Sequence, residues 1–217
     1  MIAPIANFKC AKYPNGSVTQ WFGGNPELYN NPRNTVRTEG HNGIDIVAPH
    51  GTPMRAVCTG TIVDVKRDDT GYGRHVRILA DKKEGIYQPL WVYGHCNDIF
   101  VEVGDKVEEG QIIATMGNTG FVISGATPYW EHNPFAGTHL HLGKRLVQVV
   151  QNGFSYEGSD ISFKVKGYNN GYLGYVDFKD ELCASEDGVS YRSMQLSAIS
   201  ILNYLKRMLS TGQSHKN

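Results

Sequence analysis

The 217-residue chain has no Cys-x-x-Cys pair, no net charge, no long apolar run and no internal repeat. Because 21 basic side chains balance 21 acidic ones, no global field draws it to nucleic acid or to an acidic membrane. The four cysteines, Cys10, Cys58, Cys96 and Cys183, are scattered. No thiolate zinc cage can be read from them; isolated core or surface thiols are the expectation, although the even count would permit two disulfides, which a chain of this length does not need. No apolar run is long enough to span a bilayer. The opening residues carry no basic stretch leading into an apolar segment, so neither a secretory leader nor an anchor is visible. Glycine, in contrast, is abundant at 25 residues, and aromatics make up 11%. That balance suits a β-rich fold with tight turns better than a helical bundle. With 40% apolar residues, the chain can bury one sizeable core and a modest appendage.

The first 40 residues are rich in Asn, Gly and Pro and hold one short strand candidate, Val18 to Phe22, followed by a loop from Gly23 to Gly40. From Gly43 to Gly143, period-2 alternation is broken by glycine turns. It marks strands at Ile44–Val47, Gly60–Val65, His75–Leu79, Leu90–Tyr93 and Gln111–Ala114. The expectation is a meander of short antiparallel strands. Beyond Lys144 the pattern weakens, with strands expected near Leu146–Val150, Ile161–Val165 and Tyr172–Val176. From Met194 to Leu209, apolar residues at 3.6 spacing predict a C-terminal amphipathic helix packed on the sheet, capped by Ser193 and stopped at Gly212. The resulting division is a lead-in over 1–17, a main unit over 18–150 and a C-terminal extension over 151–217.

Three segments carry histidines suited to chemistry: His41-Asn42-Gly43-Ile44-Asp45, Tyr93-Gly94-His95 and His139-Leu140-His141. Two apart on a strand, His139 and His141 project together while Leu140 and Leu142 enter the core. Taken alone, that pair reads equally well as solvated surface histidines. His41 and Asp45 change the balance. On an extended strand their Cα atoms would lie about 13 Å apart, too far for bonds of about 2 Å to one ion. The backbone must curl, and Asn42-Gly43 offers left-handed freedom for it. Two imidazoles and a carboxylate form a nitrogen and oxygen set that favours zinc and leaves a fourth position for water.

With Ala48-Pro49-His50-Gly51-Thr52-Pro53, Gly60-Thr61-Ile62-Val63, Gly71-Tyr72-Gly73, Tyr93-Gly94-His95, Val103-Gly104-Asp105-Lys106-Val107, Gly110-Gln111-Ile112-Ile113, Gly117-Asn118-Thr119-Gly120 and Thr138-His139-Leu140-His141 in order, the chain resembles the lysostaphin/LytM-type peptidoglycan metalloendopeptidases from about Val18 to Gly143. The resemblance implies a mainly β fold, an antiparallel sheet core with long loops forming a groove. It also implies one Zn2+ per chain bound by His41, Asp45 and His141, with His95 and His139 as the unliganded catalytic pair. The bound ion would lower the pKa of its water to about 7 and polarise the scissile carbonyl. His95 and His139 would orient or deprotonate that water, steady the oxyanion and protonate the leaving amine. The resemblance does not divide those roles between them.

Two departures stand out. The stretch from Gly120 to His139 is longer than the family's usual loop. It is expected to wall the groove, with Tyr129, Trp130 and Phe135 available to hold a peptide or sugar chain or to pack on one another. His132, His50, His75 and His215 read as structural or solvent-facing. After His141 the chain has Leu142-Gly143-Lys144 where the family commonly has Phe-Glu-Val, so altered strand packing is expected with the metal retained. The function implied is cleavage of peptide bonds in a bacterial wall cross-bridge or stem by a monomer that neither enters the membrane nor binds nucleic acid. A phage or prophage lysin fits the missing export signal. Two rival readings are a catalytically inactive wall-binding or hydrolase-activating module of the same fold, and a biotinyl- or lipoyl-type carrier suggested by Val103 to Gln111. The intact histidine set argues against the first. The absence of a hairpin-tip lysine in the carrier setting argues against the second.

Overall fold

A computed structural model describes residues 1–34, 36–124, 127–128 and 133–185. The expected helix Met194–Leu209, together with Tyr129, Trp130, His132 and His215, lies outside the described residues. In chain order the elements are β1 (Val18–Gln20), α1 (Pro26–Tyr29), β2 (Ile44–Ile46), β3 (Pro53–Arg55), β4 (Gly60–Lys66), β5 (His75–Ala80), β6 (Gln88–Gly94), β7 (Cys96–Ile99), β8 (Lys106–Val107), β9 (Ile112–Met116), β10 (Ile123–Ser124), β11 (Thr127–Pro128), β12 (Leu140–Ser155), β13 (Ser162–Val165) and α2 (Lys179–Cys183). The fold is mainly antiparallel β.

Strands β4, β5 and β6 run as the expected meander, but the whole sheet does not. Its order is β1-β2-β12-β6-β5-β4-β8, with β13 added on β12, while β3, β9 and β7 form a second sheet. The hydrophobic register explains why β12 wedges between β2 and β6. Leu140 pairs Ile46, and Leu142 pairs Ile44 on one side and Tyr93 on the other. Directly paired residues share a face, so Leu140 and Leu142 enter the core as expected, fully buried among Ile44, Ile46 and Tyr93. From the second sheet, Met54, Ala114 and Met116 close the same core, and Ala3, Ile5 and Phe8 of the N-terminal segment pack into it.

The opposite face of β12 carries His141, Gly143 and Arg145, level with Asp45 of β2 and with Gly94 and Val92 of β6. Farther along that face, Val147 joins Leu90, Leu79, Val63 and Phe163 in a second, smaller buried cluster. Gly143, where the chain departs from the family pattern, is filled by a neighbour: a Cβ there would stand 2.7 Å from the Tyr175 ring. Tyr172–Val176 forms no strand. Its one sheet-like contact is the Arg145–Tyr175 bridge, because Gly171 and Gly174 take left-handed φ values of 82° and 80° and turn the chain back.

Two features tie α2 to the rest. Lys144, on the core-facing side of β12 and 2% exposed, sends its ammonium out to Glu84 and Glu181, each at 2.6 Å. Cys10 and Cys183, expected as isolated thiols, are instead paired in a disulfide across 173 positions of sequence. That proximity comes from the tertiary fold and leaves no local trace in the chain. Cys58 and Cys96 remain free thiols, and burial pushes both up to about 12. Among the described residues no helix is long and apolar enough to cross a membrane.

Candidate metal centre

His41 precedes β2, its backbone held between Gly23 and Gly24 by bonds of 2.8 and 2.9 Å. The chain bends at Asn42-Gly43 and delivers Asp45 from the middle of β2. The bend was expected to use left-handed angles, yet neither Asn42 nor Gly43 takes one. Gly43 is needed for room: a Cβ would lie 2.6 Å from Cε1 and 2.7 Å from Nε2 of His141. His141 reaches the same point from β12, directly opposite Asp45 in the sheet.

Three atoms converge there. His41 Nε2 lies 2.9 Å from His141 Nδ1 and 3.0 Å from Asp45 Oδ1, and the third edge, His141 Nδ1 to Asp45 Oδ1, is 3.1 Å. All three residues are buried. The Trp21 carbonyl, 3.4 Å away, takes the Nδ1 hydrogen of His41 and turns the Nε2 lone pair inward. A proton can bridge only one edge of such a triangle, whereas a cation at its apex satisfies all three corners. Zinc bonds of 2.0–2.2 Å place tetrahedral donors about 3.3 Å apart, close to the edges found. The donor set fits zinc.

His95 and His139 stand beside this triangle, their ring centroids 4.6 Å apart. Gly117-Asn118-Thr119-Gly120 cradles both. Gly117 donates its N–H to the His95 carbonyl at 2.9 Å and accepts the His139 N–H at 3.1 Å. The His95 Nδ1 hydrogen goes to the Thr119 carbonyl at 2.7 Å, and the His139 Nδ1 hydrogen goes to the Gly137 carbonyl at 2.7 Å. Each ring is thereby left with a basic Nε2. That of His139 sits 3.7 Å from Asp45 Oδ1. His95 itself adopts a left-handed φ of 61°, a strain that residues at working sites tolerate.

Burial, reinforced by the nearby His139 and His141, holds His95 well below the ordinary histidine range. Burial likewise lowers His141 to about 4, against the opposing effect of its hydrogen bond to the Asp45 carboxylate. For Asp45, burial alone would raise the carboxyl. The proximity of the His41 and His139 imidazoles and the contacts with His141 and His41 outweigh it, and the carboxyl lies well below its usual range.

Two tyrosines escaped the sequence reading. Tyr29 of α1 packs its ring 5.4 Å from His41, and burial together with Asp45 raises its phenol, which stays protonated. Tyr72 stacks on His141, centroids 4.8 Å apart and planes 27° apart. Gly71-Tyr72-Gly73 was visible as a motif, but nothing local signalled which histidine its ring would meet. His75, read as structural or solvent-facing, is buried and faces Asp64 at 3.2 Å and Arg77 at 2.7 Å. His50 lies 5.0 Å from the exposed ring of Phe135 and is not one of the three converging donors.

Comparison with known proteins agrees with this geometry. The chain is 36% identical over 141 residues to glycyl-glycine endopeptidase ALE-1 of Staphylococcus capitis, an alignment covering 61% of this chain and 34% of that protein. It is 32% identical over 125 residues to peptidoglycan DD-endopeptidase ShyC of Vibrio cholerae, covering 56% of this chain and 27% of that one. The structure of lysostaphin from Staphylococcus simulans superposes with a TM-score of 0.51 at 20% identity, covering 82% of this chain and 53% of that one, and so shares the fold. The chain spans about a third or less of the length of the curated relatives it matches. Residues 39–153, just over half of the sequence, match the family model for peptidase family M23, and the chain belongs to that family.

Proposed function

We propose that the chain is a zinc-dependent endopeptidase that hydrolyses peptide bonds in the cross-bridges or stems of bacterial peptidoglycan, with residues 18–150 as its catalytic unit. The observation that carries this reading is the triangle of His41 Nε2, Asp45 Oδ1 and His141 Nδ1, whose edges run from 2.9 to 3.1 Å. His41, Asp45 and His141 would hold the ion. Zinc bound there acts as a Lewis acid toward a carbonyl and makes water a nucleophile near neutral pH.

The protein's own groups supply the rest. His95 and His139 present Nε2 lone pairs, because backbone carbonyls occupy their Nδ1 hydrogens. One takes a proton from the attacking water and one returns a proton to the departing amine. Burial keeps His95 neutral and ready to accept at working pH. The named activities of ALE-1 and ShyC, both endopeptidases, support a peptide-bond reaction.

Purified walls of several species, digested with zinc-loaded protein, provide the test. New amino termini identified by mass spectrometry should appear, disappear with chelator and return with zinc. Digestion that releases only new reducing sugar ends would overturn the proposal.

A further inference from the structure

Gly71-Tyr72-Gly73, between β4 and β5, takes no part in the chemistry above, yet the site is built around it. Gly71 and Gly73 hold left-handed φ values of 55° and 61°. Gly73 lies so close to the Thr119-Gly120 backbone that a Cβ would come within 2.4 Å of it. Three hydrogen bonds pin the segment: Phe121 N–H to the Gly71 carbonyl at 2.8 Å, His95 N–H to the Tyr72 carbonyl at 2.8 Å, and His75 Nδ1–H to the Gly73 carbonyl at 2.7 Å. With its backbone immobilised, Tyr72 has one place to put its ring, flat against His141. Its hydroxyl accepts a bond from Asn42 Nδ2 at 2.8 Å, next to His41 in sequence. Behind it stands Arg77, 6.0 Å from the ring centroid and ion-paired to Asp64.

A histidine that binds a metal through one nitrogen normally donates the other to an acceptor, which fixes the plane of the ring. His141 lacks that support. Its Nε2 is buried with no hydrogen-bond partner and lies against Gly43. We infer that Tyr72 is the positioning residue for His141, its stacked ring doing what a hydrogen bond to Nε2 would otherwise do, with Gly43 closing in on the same imidazole. The stack keeps Nδ1 aimed at the triangle. The hydroxyl contact with Asn42 is secondary. This inference rests on the reading of His41, Asp45 and His141 as the metal set.

Zinc affinity, measured by competition with a chromophoric chelator, tests it directly. Cobalt(II) absorption bands give a second readout, one that loss of stability alone would not move. Tyr72→Phe keeps the stack and should bind zinc within threefold of wild type, with an unchanged cobalt spectrum. Tyr72→Leu removes the stack and should weaken zinc binding by about tenfold or more, with shifted cobalt bands. Tyr72→Met carries the same comparison should the leucine variant not fold. Binding by Leu and Met variants within threefold of wild type, with superimposable spectra, overturns the inference alone. So does equal weakening by Phe and Leu, which would make the hydroxyl the agent. A wild-type chain that takes up no zinc overturns the metal assignment and this inference with it.

Discussion

Gly43 and His141 occupy one space between them. A methyl group at 43 would press on the imidazole at 2.6 Å and on the Leu142 carbonyl at the same distance, and neither can retreat without breaking the pairing of β2 with β12. Overpacking of this kind typically costs about 1–3 kcal/mol, and here the strain falls on a metal ligand. Gly43→Ala should therefore lower zinc affinity, by calorimetric titration, more than tenfold while lowering the metal-free melting temperature only modestly. His139, just ahead of β12, and His141 within it should separate in the same assay. His139→Ala should retain stoichiometric zinc and lose wall hydrolysis by about 100-fold or more, whereas His141→Ala should lose both. Equal zinc loss in the two would mean that ligand and catalyst are exchanged.

At the scale of elements, the Lys144 clamp links β12, the turn before β6 and α2. Its asymmetry predicts a sign. The Lys144 side chain is 2% exposed, while those of Glu84 and Glu181 are 43% and 47% exposed. Lys144→Met leaves two carboxylates that can rehydrate and fills the same volume, so it should cost less than about 2 kcal/mol. Replacing both glutamates by glutamine strands a buried cation, and about 3–5 kcal/mol should be lost in urea unfolding. Most strands were legible because glycine turns frame their apolar alternation, as in Gly60–Lys66 and His75–Ala80. The convergence of His41, Asp45 and His141 was foreshadowed by the ordered motifs that carry the family resemblance, and only in part by the spacing of the residues themselves. β12 was read too short, since its outer half is exposed and paired with β13 in place of the main core. The insertion of β12 beside β2 was invisible because pairing partners about 100 residues apart leave no local pattern. Tyr72 was missed for the same reason, its target histidine being 69 positions away.

For the molecule as a whole, acid should be the weak point of the metal-free form. His141 lies at about 4 in place of the usual 6.5, and His95 is also well below its usual range. Below pH 6.5 the unfolded chain binds protons that the native chain refuses, so stability is intact above 6.5 and drains away as pH falls toward the folded values. The His141 difference, from 6.5 to about 4, corresponds to on the order of 3 kcal/mol once fully expressed. Melting of the chelated protein at pH 7.5 and pH 5 should differ by on the order of 5 °C. A melting temperature that is flat or rises on acidification would contradict those shifts. Saturating zinc should raise the melting point at neutral pH.

The bond between Cys10 and Cys183 makes a covalent hoop that encloses every strand described above. A protease that nicks an exposed turn inside it, such as Gly85 or Gly158, severs the thread without parting the halves. The cut protein should migrate as a single species until a reductant is added, and only then fall into two fragments.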